Sequence, residues 1–357
     1  MNRIPTLTLL FCAISLVVIP TSAGGVTIAW SPVGNPGNAL DPLTGHGAVA
    51  YSYNIGTYDV TNSQYAEFLN AKDPTGANTL GLWNIGMASA TFGYGGINFN
   101  AGNADGDKYT LVSGRENHPV GNETWYSAIR FANWLNNGQG SGDTESGAYT
   151  LLGGTPTPSN GLSVTRNAGA TVFLPSEDEW YKAAYYNPGT NSYFLYPTSS
   201  NVPPIASPPT PLANHANLTP TGAATFTDVG AYSGTASPYG AFDMAGDTWQ
   251  WTETLNGVAR VQRGASWVDS PSQTASSYYY VIPPQSDAGN NGFRLAMIPE
   301  PSTLVLAALG FGALAAFAAR RRQSTRGETM QLFRWRPAPP RDVKGARFFP
   351  TLVPSTP

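Results

Sequence analysis

Three segments of the chain combine a short extended pattern with a helical spacing of apolar side chains. The first, residues 48–71, alternates Tyr51 and Tyr53, which predicts a strand, and then places apolar residues three and four positions apart. Residues 118–136 and 172–187 repeat this order. We therefore expect three helices in the body of the chain, each preceded by extended backbone.

Residues that favour helix N-termini stand where each helical spacing begins. Thr61 or Asn62 can cap the first helix, and Ser176 followed by Glu179 forms a capping-box arrangement before the third. The apolar faces predicted for the first two helices are Tyr65, Phe68 and Leu69 in one, and Trp125, Ile129, Ala132 and Leu135 in the other.

Loop-rich inserts separate these segments at residues 73–113, 138–167 and 187–227. Five prolines between Pro203 and Pro211 argue against regular structure in the last insert. Residues 24–298 contain neither a repeat of fixed period nor a linker-like stretch, so we expect a single domain there.

The N-terminus has the parts of a secretory signal peptide. Arg3 gives a short basic start, an apolar stretch follows, and Thr21, Ser22 and Ala23 supply small residues before a cleavage site at Gly24. We expect residues 1–23 to be removed on export. The alternative is a buried N-terminal strand or helix.

A second apolar stretch lies near the C-terminus. Thr303 to Ala319 carries no charge and would span roughly 25 Å as a helix, near the lower limit for crossing a bilayer. Arg320, Arg321 and Arg322 follow directly, as expected on the cytoplasmic side of a membrane span. A buried core helix is the alternative, but three adjacent arginines are costly to bury.

Composition and charge narrow the class of protein. Charged residues make up 11% of the chain, whereas Gly (39) and Pro (30) are abundant, which indicates many turns and few long helices. Residues 24–301 carry 20 acidic and 9 basic side chains, and this acidic body argues against a nucleic-acid partner. Residues 323–357 are basic and, from Arg334 onwards, show neither helical nor strand periodicity; they are either a cytoplasmic tail or the product of a misread stop codon.

The single cysteine, Cys12, lies inside the predicted signal peptide. The mature chain would therefore contain no disulfide, no thiolate metal ligand and no cysteine nucleophile.

The order Pro299-Glu300-Pro301, apolar span and arginine cluster at residues 299–322 resembles the PEP-CTERM sorting signal. That resemblance implies export in a Gram-negative bacterium that makes extracellular polysaccharide, with transient anchoring in the inner membrane. It also implies an exosortase-type membrane protease as a partner that cuts near the motif. Cell-surface or extracellular-matrix localisation would follow. The 35 residues after Arg322 depart from this pattern, because such signals normally end soon after the arginines.

Six ordered motifs carry a second resemblance, which covers about residues 48–298. They include HPV, LPSEDEW, DMAGDTWQW, RGASW and GFR. In this order they resemble the formylglycine-generating enzyme family, also called sulfatase-modifying factors. The resemblance implies an α+β fold with little regular secondary structure, related to C-type-lectin-like domains.

The residues needed for the family's oxidation of a sulfatase cysteine are missing. The resemblance places the two copper-binding cysteines at Asp269 and Thr274, beside Ser266 and Trp267, which remain. Copper(I) prefers soft thiolates, so a carboxylate and a hydroxyl do not replace them. We therefore expect no copper and no formylglycine production. An iron site, as in sulfoxide synthases with a related domain, needs a histidine cluster, whereas His46, His118 and His215 are far apart in sequence.

Calcium is the cofactor that the resemblance leaves open. The positions that match the family's calcium loop are Asp243, Gly246, Thr248 and Gln250, with Asn217 and Leu218 as part of a second site. Gln250 stands where the family has a carboxylate, which should weaken binding. A metal-free turn packed by tryptophans is the alternative, and Asn103, Asp105 and Asp107 form a further, weaker calcium pattern.

The tyrosines at Tyr278, Tyr279 and Tyr280 lie where the resemblance places the wall of the substrate cleft. Tyrosine suits sugar or peptide recognition, although three in a row also fit a strand packed on both faces. Arg294 of the GFR motif is expected to pair with a buried carboxylate or carbonyl. We expect a binding module for polysaccharide or an envelope protein, and an enzyme of the same cleft is the alternative.

Overall fold

Three α-helices form in the segments whose apolar spacing predicted them. They are α1 (Asn62–Lys72), α2 (Trp125–Asn136) and α3 (Glu177–Tyr185). Each begins at a capping box, with Thr61, Thr124 and Ser176 as the capping residues. Because each capping hydroxyl accepts from a backbone N–H of the first turn, the sequence sets where each helix starts.

The computed structural model describes residues 25–88, 95–299 and 317. The chain divides into two units, one ending at Pro299 and the other beginning at Glu300. The predicted signal peptide, the sorting residues from Glu300 onwards and the basic tail lie outside the described residues, except for Phe317. None of the helices in the described part is long and apolar enough to cross a bilayer, and the predicted span at residues 303–319 falls almost wholly outside that part.

One four-stranded sheet joins the two ends of the domain. Its strands are β1 (Trp30–Val33), β2 (Tyr53–Gly56), β5 (Val172–Phe173) and β14 (Ala296–Met297). They pair in the order β1-β2-β14-β5, all antiparallel. The strand predicted from Tyr51 and Tyr53 is thus β2, at the centre of this sheet.

A second four-stranded sheet carries the segments after residue 248. Its strands are β10 (Trp249–Asn256), β11 (Ala259–Arg263), β12 (Tyr280–Ile282) and β13 (Asn291–Gly292). They pair in the order β12-β11-β10-β13, and β10 and β13 run parallel. Strands β10 and β11 form a hairpin whose turn contains Gly257 at a φ of 63°, a conformation that favours glycine.

Short strand pairs occupy two of the loop-rich inserts, one of which is the proline-rich insert that was expected to lack regular structure. They are β3 (Ile97–Phe99) with β4 (Tyr109–Leu111), β6 (Tyr186–Asn187) with β7 (Ser192–Tyr193), and β8 (Ile205–Ala206) with β9 (His215–Ala216). The expectation for the proline-rich insert was wrong at β8. Its two residues fit between Pro204 and Pro208, so no proline has to donate a ladder hydrogen bond there.

Aromatic rings fix α1 and α2 against each other and against the C-terminal part of the domain. Phe131 of α2 lies 5.8 Å from Tyr65 and 5.3 Å from Phe68 of α1, measured between ring centroids. Phe293 lies 5.6 Å from Phe131, nearly perpendicular to it. All four rings are fully buried, and edge-to-face packing of this kind adds to the hydrophobic gain.

Arg263, at the end of β11, links α3 to the segment that bears the three tyrosines. Its side chain is fully buried and donates to Glu177 Oε1 at 3.0 and 2.5 Å. It also donates to the carbonyl oxygens of Ser276 at 2.7 Å and Tyr278 at 2.9 Å. One guanidinium therefore positions the backbone before β12.

We expect Arg263→Met to lower the free energy of unfolding by about 3–5 kcal/mol, because Glu177 would keep a buried charge without its partner. Denaturant unfolding checks this. Removing both charges, as in Arg263→Met with Glu177→Leu, should cost clearly less than Arg263→Met alone. An equal or larger loss in the double variant would contradict the role given to this ion pair.

Candidate functional site

An open pocket of about 250 Å³ lies against the second sheet, beside β12. Side chains from four separate segments meet there: three of the segments include β10, β12 and β13 of this sheet, and the fourth holds Asp269 and Gln273. The residues around it are Trp249, Asp269, Gln273, Tyr278, Tyr280, Ile282, Ala288, Asn290 and Asn291.

Three aromatic rings form one wall of this pocket. The ring of Trp249 lies 6.0 Å from that of Tyr278 and 5.6 Å from that of Tyr280. Tyr278 and Tyr280 are 39% and 48% exposed, so their rings are open to a ligand. Tyr279 does not border the pocket; its ring lies 5.4 Å from the Arg263 guanidinium. Alternate side chains of an extended segment point to opposite faces, which separates the tyrosines.

Hydrogen bonds within the protein hold the polar side of the pocket. Asp269 Oδ2 accepts from the backbone N–H of Ser266 at 3.0 Å and from its hydroxyl. Asp269 Oδ1 accepts from Gln273 Nε2 at 2.9 Å, and Asn290 Nδ2 donates to Ser266 Oγ at 2.8 Å. Ser266 is fully buried beneath the pocket.

Thr274 and Trp267, two other candidates from the sequence, face elsewhere. The Thr274 side chain is fully buried, and its hydroxyl donates to the Pro271 carbonyl at 2.7 Å. Trp267 borders a separate pocket of about 140 Å³ and lies 6.5 Å from the ring of Phe226. Asp269 is therefore the only one of the two copper-ligand positions that reaches the aromatic pocket.

Six residues of the pocket were missed by sequence reasoning: Trp249, Gln273, Ile282, Ala288, Asn290 and Asn291. Gln273 sits in a 3₁₀ turn, and Asn290 and Asn291 precede the GFR motif. Trp249 was considered only as packing for a turn. Nothing local in the sequence marks these positions, because the pairing of β10 with β13 brings Trp249 beside Asn291.

The calcium-loop candidates lie in the interior, in a cluster of buried acids around Arg294. Asp59, Asp243 and Asp247 are each at most 8% exposed. Arg294 lies 3.2 Å from Asp59 Oδ1 and donates to the carbonyl oxygens of Gly56 and Phe242, both at 2.9 Å. The expected structural role of Arg294 is thereby confirmed.

Gln250 has its hydrogen-bonding capacity occupied in this cluster. Its Oε1 accepts from Trp180 Nε1 and Arg294 Nε, both at 2.6 Å. Its Nε2 donates to the Asp243 carbonyl at 2.7 Å and to Asp59 Oδ2 at 3.4 Å. Binding of a calcium ion through Gln250 would have to replace one of these bonds.

The second set of calcium candidates joins the same cluster through Asp247. Asn217 Nδ2 donates to Asp247 Oδ1 at 2.8 Å, and Asp247 also accepts from Thr227. The backbone of Asn217 bridges to Gly246, while the Leu218 side chain is fully buried. Thr248 donates to Asp59 Oδ2 at 3.4 Å. The sequence missed Asp247, which connects both sets.

The remaining metal candidates stay apart. In the Asn103–Asp107 turn, Asp105 lies 3.4 Å from Lys108 Nζ, and Asn103 Nδ2 donates to the Asp107 carbonyl. The three histidines have different neighbours: Asp178 for His46, Asp228 for His118 and Ser207 for His215. Across residues 25–88 and 95–299, no three His, Cys, Asp or Glu side chains form a group that could hold a metal ion.

Comparison with protein families identifies the domain. Residues 33–298 match the model of the sulfatase-modifying factor enzyme 1-like domain. The chain belongs to this family. Residues 298–322 match the PEP-CTERM protein-sorting motif, which implies export and envelope sorting in a Gram-negative bacterium and processing by an exosortase-type membrane enzyme. Both resemblances found in the sequence are thus confirmed.

Two curated relatives are hercynine oxygenases. The protein of Mycobacterium tuberculosis is 32% identical over 133 residues, which are 31% of this chain and 29% of that protein. The protein of Mycolicibacterium smegmatis is 26% identical over 294 residues, which are 71% of this chain and 58% of that protein. The chain thus spans less than two thirds of the length of either relative.

One solved structure, CarF, shares the fold of the domain. CarF aligns with a TM-score of 0.50 and 20% identity over 77% of this chain and 99% of its own. Treponema denticola variable protein 1 aligns with a TM-score of 0.45 and 19% identity over 78% of this chain and 98% of its own. The expected family fold, with few helices and short strands, is confirmed, and the likeness concerns the fold alone.

The residues present do not fit the copper centre of formylglycine-generating enzymes. Asp269 offers a hard carboxylate that already accepts from Ser266 and Gln273. Thr274 offers a hydroxyl that is turned to Pro271. Because copper(I) requires soft ligands, we derive no oxidative step for this pocket.

The buried acid cluster should make stability depend on pH. Burial raises the pKa of Asp59 to about 7 despite the nearby Arg294, and raises that of Asp243 to about 6. Burial also raises the pKa of Asp247 and of Glu123 well above their ordinary values. The folded protein therefore holds protons that the unfolded chain, with carboxyl pKa values near 4, has released.

The sign of this contribution follows from the raised values. The stabilisation from these protonated buried acids is fully present below about pH 4 and is lost as the pH rises to about 7.

We expect Asp59→Asn to remove about 2–4 kcal/mol of this dependence of the unfolding free energy on pH. Glu179 acts in the opposite sense, because Arg166 outweighs burial and lowers its pKa. Denaturant unfolding of the unaltered protein and of Asp59→Asn at several values from pH 4 to 8 measures this effect. If the unfolding free energies of the two proteins change in parallel with pH, the role of Asp59 is contradicted.

Proposed function

We propose that the protein is an exported surface protein whose family domain binds an envelope or extracellular ligand in the aromatic pocket. The observation that carries this proposal is the open wall of Tyr278 and Tyr280 opposite hydrogen-bonding side chains. A concave site with aromatic surfaces and a few fixed polar groups is typical of ligand recognition.

The sorting motif supports a site that works outside the cell. In this proposal the apolar segment at residues 303–319 spans the inner membrane until an exosortase-type enzyme cuts near Pro299–Pro301. The acidic domain is then left at the cell surface or in the extracellular matrix, where polysaccharide and envelope proteins are the available ligands. Nucleic acid is not among the partners proposed.

Selective removal of the pocket tyrosines tests the proposal. We expect the purified protein to bind extracellular polymer or envelope material prepared from the producing bacterium, and Tyr280→Ala to weaken this binding at least tenfold. Tyr279→Ala is the matched control, because Tyr279 is 45% exposed on the same segment but does not border the pocket. Equal effects of the two variants in a pull-down titration would contradict the proposal.

An oxidoreductase is the alternative function, and the hercynine oxygenase relatives favour it. Such an enzyme would need a redox metal such as copper or iron.

We propose that the metal bound by the domain is calcium and not a redox metal, and that it binds through the loop of Asp243 to Gln250 and its neighbour Asn217. The buried carboxyl groups of Asp243 and Asp247 beside this loop support the proposal, since a calcium ion bound through them and through backbone oxygens would take the place of the protons that their raised pKa values favour.

Metal analysis separates these alternatives. We expect the purified protein to retain calcium but neither copper nor iron, and chelation to lower the melting temperature by a few degrees through loss of a ligand bound only by the native state. Tightly held copper or iron would favour the enzyme. A melting curve that neither a chelator nor added calcium shifts would contradict the calcium proposal.

A further inference from the structure

We infer that the aromatic pocket binds a single uncharged sugar ring of a neutral glycan. This inference rests on the proposed function and adds to it the class of ligand. It stands on four features of the pocket: its size, the arrangement of its aromatic rings, its hydrogen-bonding groups and the state of the one charged side chain that borders it in the described part of the chain.

The size of the pocket limits what it can enclose. Its volume of about 250 Å³ lies just below the range of roughly 300–1,000 Å³ of drug-sized ligand sites. A site of this volume encloses one ring of a ligand, while the pocket's open side leaves room for the rest of a longer chain. One monosaccharide unit within a polysaccharide matches that description.

The aromatic wall suits the faces of such a ring. Tyr278 and Tyr280 are two residues apart, lie on the same side of their segment and flank Trp249 at 6.0 and 5.6 Å. The electron-rich faces of aromatic rings attract the positively polarised C–H groups that a pyranose presents on its faces. The rings are tilted by only 30° and 36° to Trp249, so together they form a gently curved surface.

The polar side of the pocket suits the hydroxyl groups at the rim of the ring. The carbonyl oxygen of the Asn290 side chain has no hydrogen-bond partner in the described part of the chain, and neither does the Tyr280 hydroxyl. The Tyr278 hydroxyl accepts from Gln273 Nε2 at 3.4 Å and can still donate. Acceptors and donors of this kind bind hydroxyl groups in either orientation.

The charge of the pocket excludes an ionic ligand. Among the residues that the structure describes, Asp269 is the only charged one that borders the pocket, so a uronate or phosphate would meet a negative charge without a cation. Three internal donors already satisfy Asp269: the N–H and hydroxyl of Ser266 and the amide of Gln273. Hydrogen bonds within the protein therefore already occupy the Asp269 carboxylate, which argues against a site built for a cationic amine.

A printed glycan array tests the inference with the purified full-length protein. The array should cover the common neutral hexoses, 6-deoxyhexoses, pentoses and N-acetylhexosamines, together with uronate and sulfated glycans. We expect binding to at least one neutral glycan and none to the acidic ones. For the best neutral oligosaccharide, titration calorimetry should show a loss of at least tenfold in affinity for Tyr280→Ala and less than twofold for Tyr279→Ala.

Three results would overturn the inference. They are binding to acidic glycans alone, binding to no glycan, and competition by choline that Tyr280→Ala abolishes. If the protein fails on the array but still shows Tyr280-dependent binding to envelope material, the neutral sugar is wrong and the proposed function stands. If Tyr280→Ala changes binding neither to glycans nor to envelope material, both the neutral-sugar inference and the proposed function are wrong. Circular dichroism of each variant ensures that a lost signal reflects the pocket and not the fold.

Discussion

The buried guanidinium of Arg263 is the constraint on which the aromatic pocket depends. It compensates the charge of Glu177 at the start of α3 and holds the carbonyl oxygens of Ser276 and Tyr278. The segment that it holds has little regular structure, so its conformation is determined by these hydrogen bonds. An ion pair in the interior thereby sets the position of two exposed tyrosines.

The domain separates its two polar regions by burial. The cluster around Arg294 is enclosed, and burial raises the pKa of its acids, as at Asp59 and Asp243. The pocket beside β12 is open, and its carboxylate, Asp269, is held by neutral donors. The enclosed cluster makes the free energy of unfolding depend on pH. The pocket is open to solvent and is the surface for which we propose binding, and without thiolates it lacks the ligands of a copper(I) site.

Much of the fold was predictable because local signals and tertiary structure agree. The capping residues Thr61 and Ser176 and the aromatic spacing in α1 act within a few positions of the chain, so the sequence shows them directly. Ordered motifs such as GFR indicated the family. The pocket was only partly predictable, because Trp249, Gln273 and Asn290 come together through the pairing of β10 with β13 and a 3₁₀ turn. Likewise, burial decides that Gln250 serves Trp180 and Arg294, and a sequence does not display burial.

The most direct test of the binding account is residue-resolved radical footprinting of the three adjacent tyrosines. The purified protein would be oxidised with and without extracellular polymer from the producing bacterium, and the modification of each tyrosine measured by tandem mass spectrometry. All three are similarly exposed, at 39–48%, so each is an internal control for the others. The account predicts that the polymer protects Tyr278 and Tyr280 and leaves Tyr279 unchanged. Equal modification of all three with and without polymer, or protection of Tyr279 alone, would contradict it.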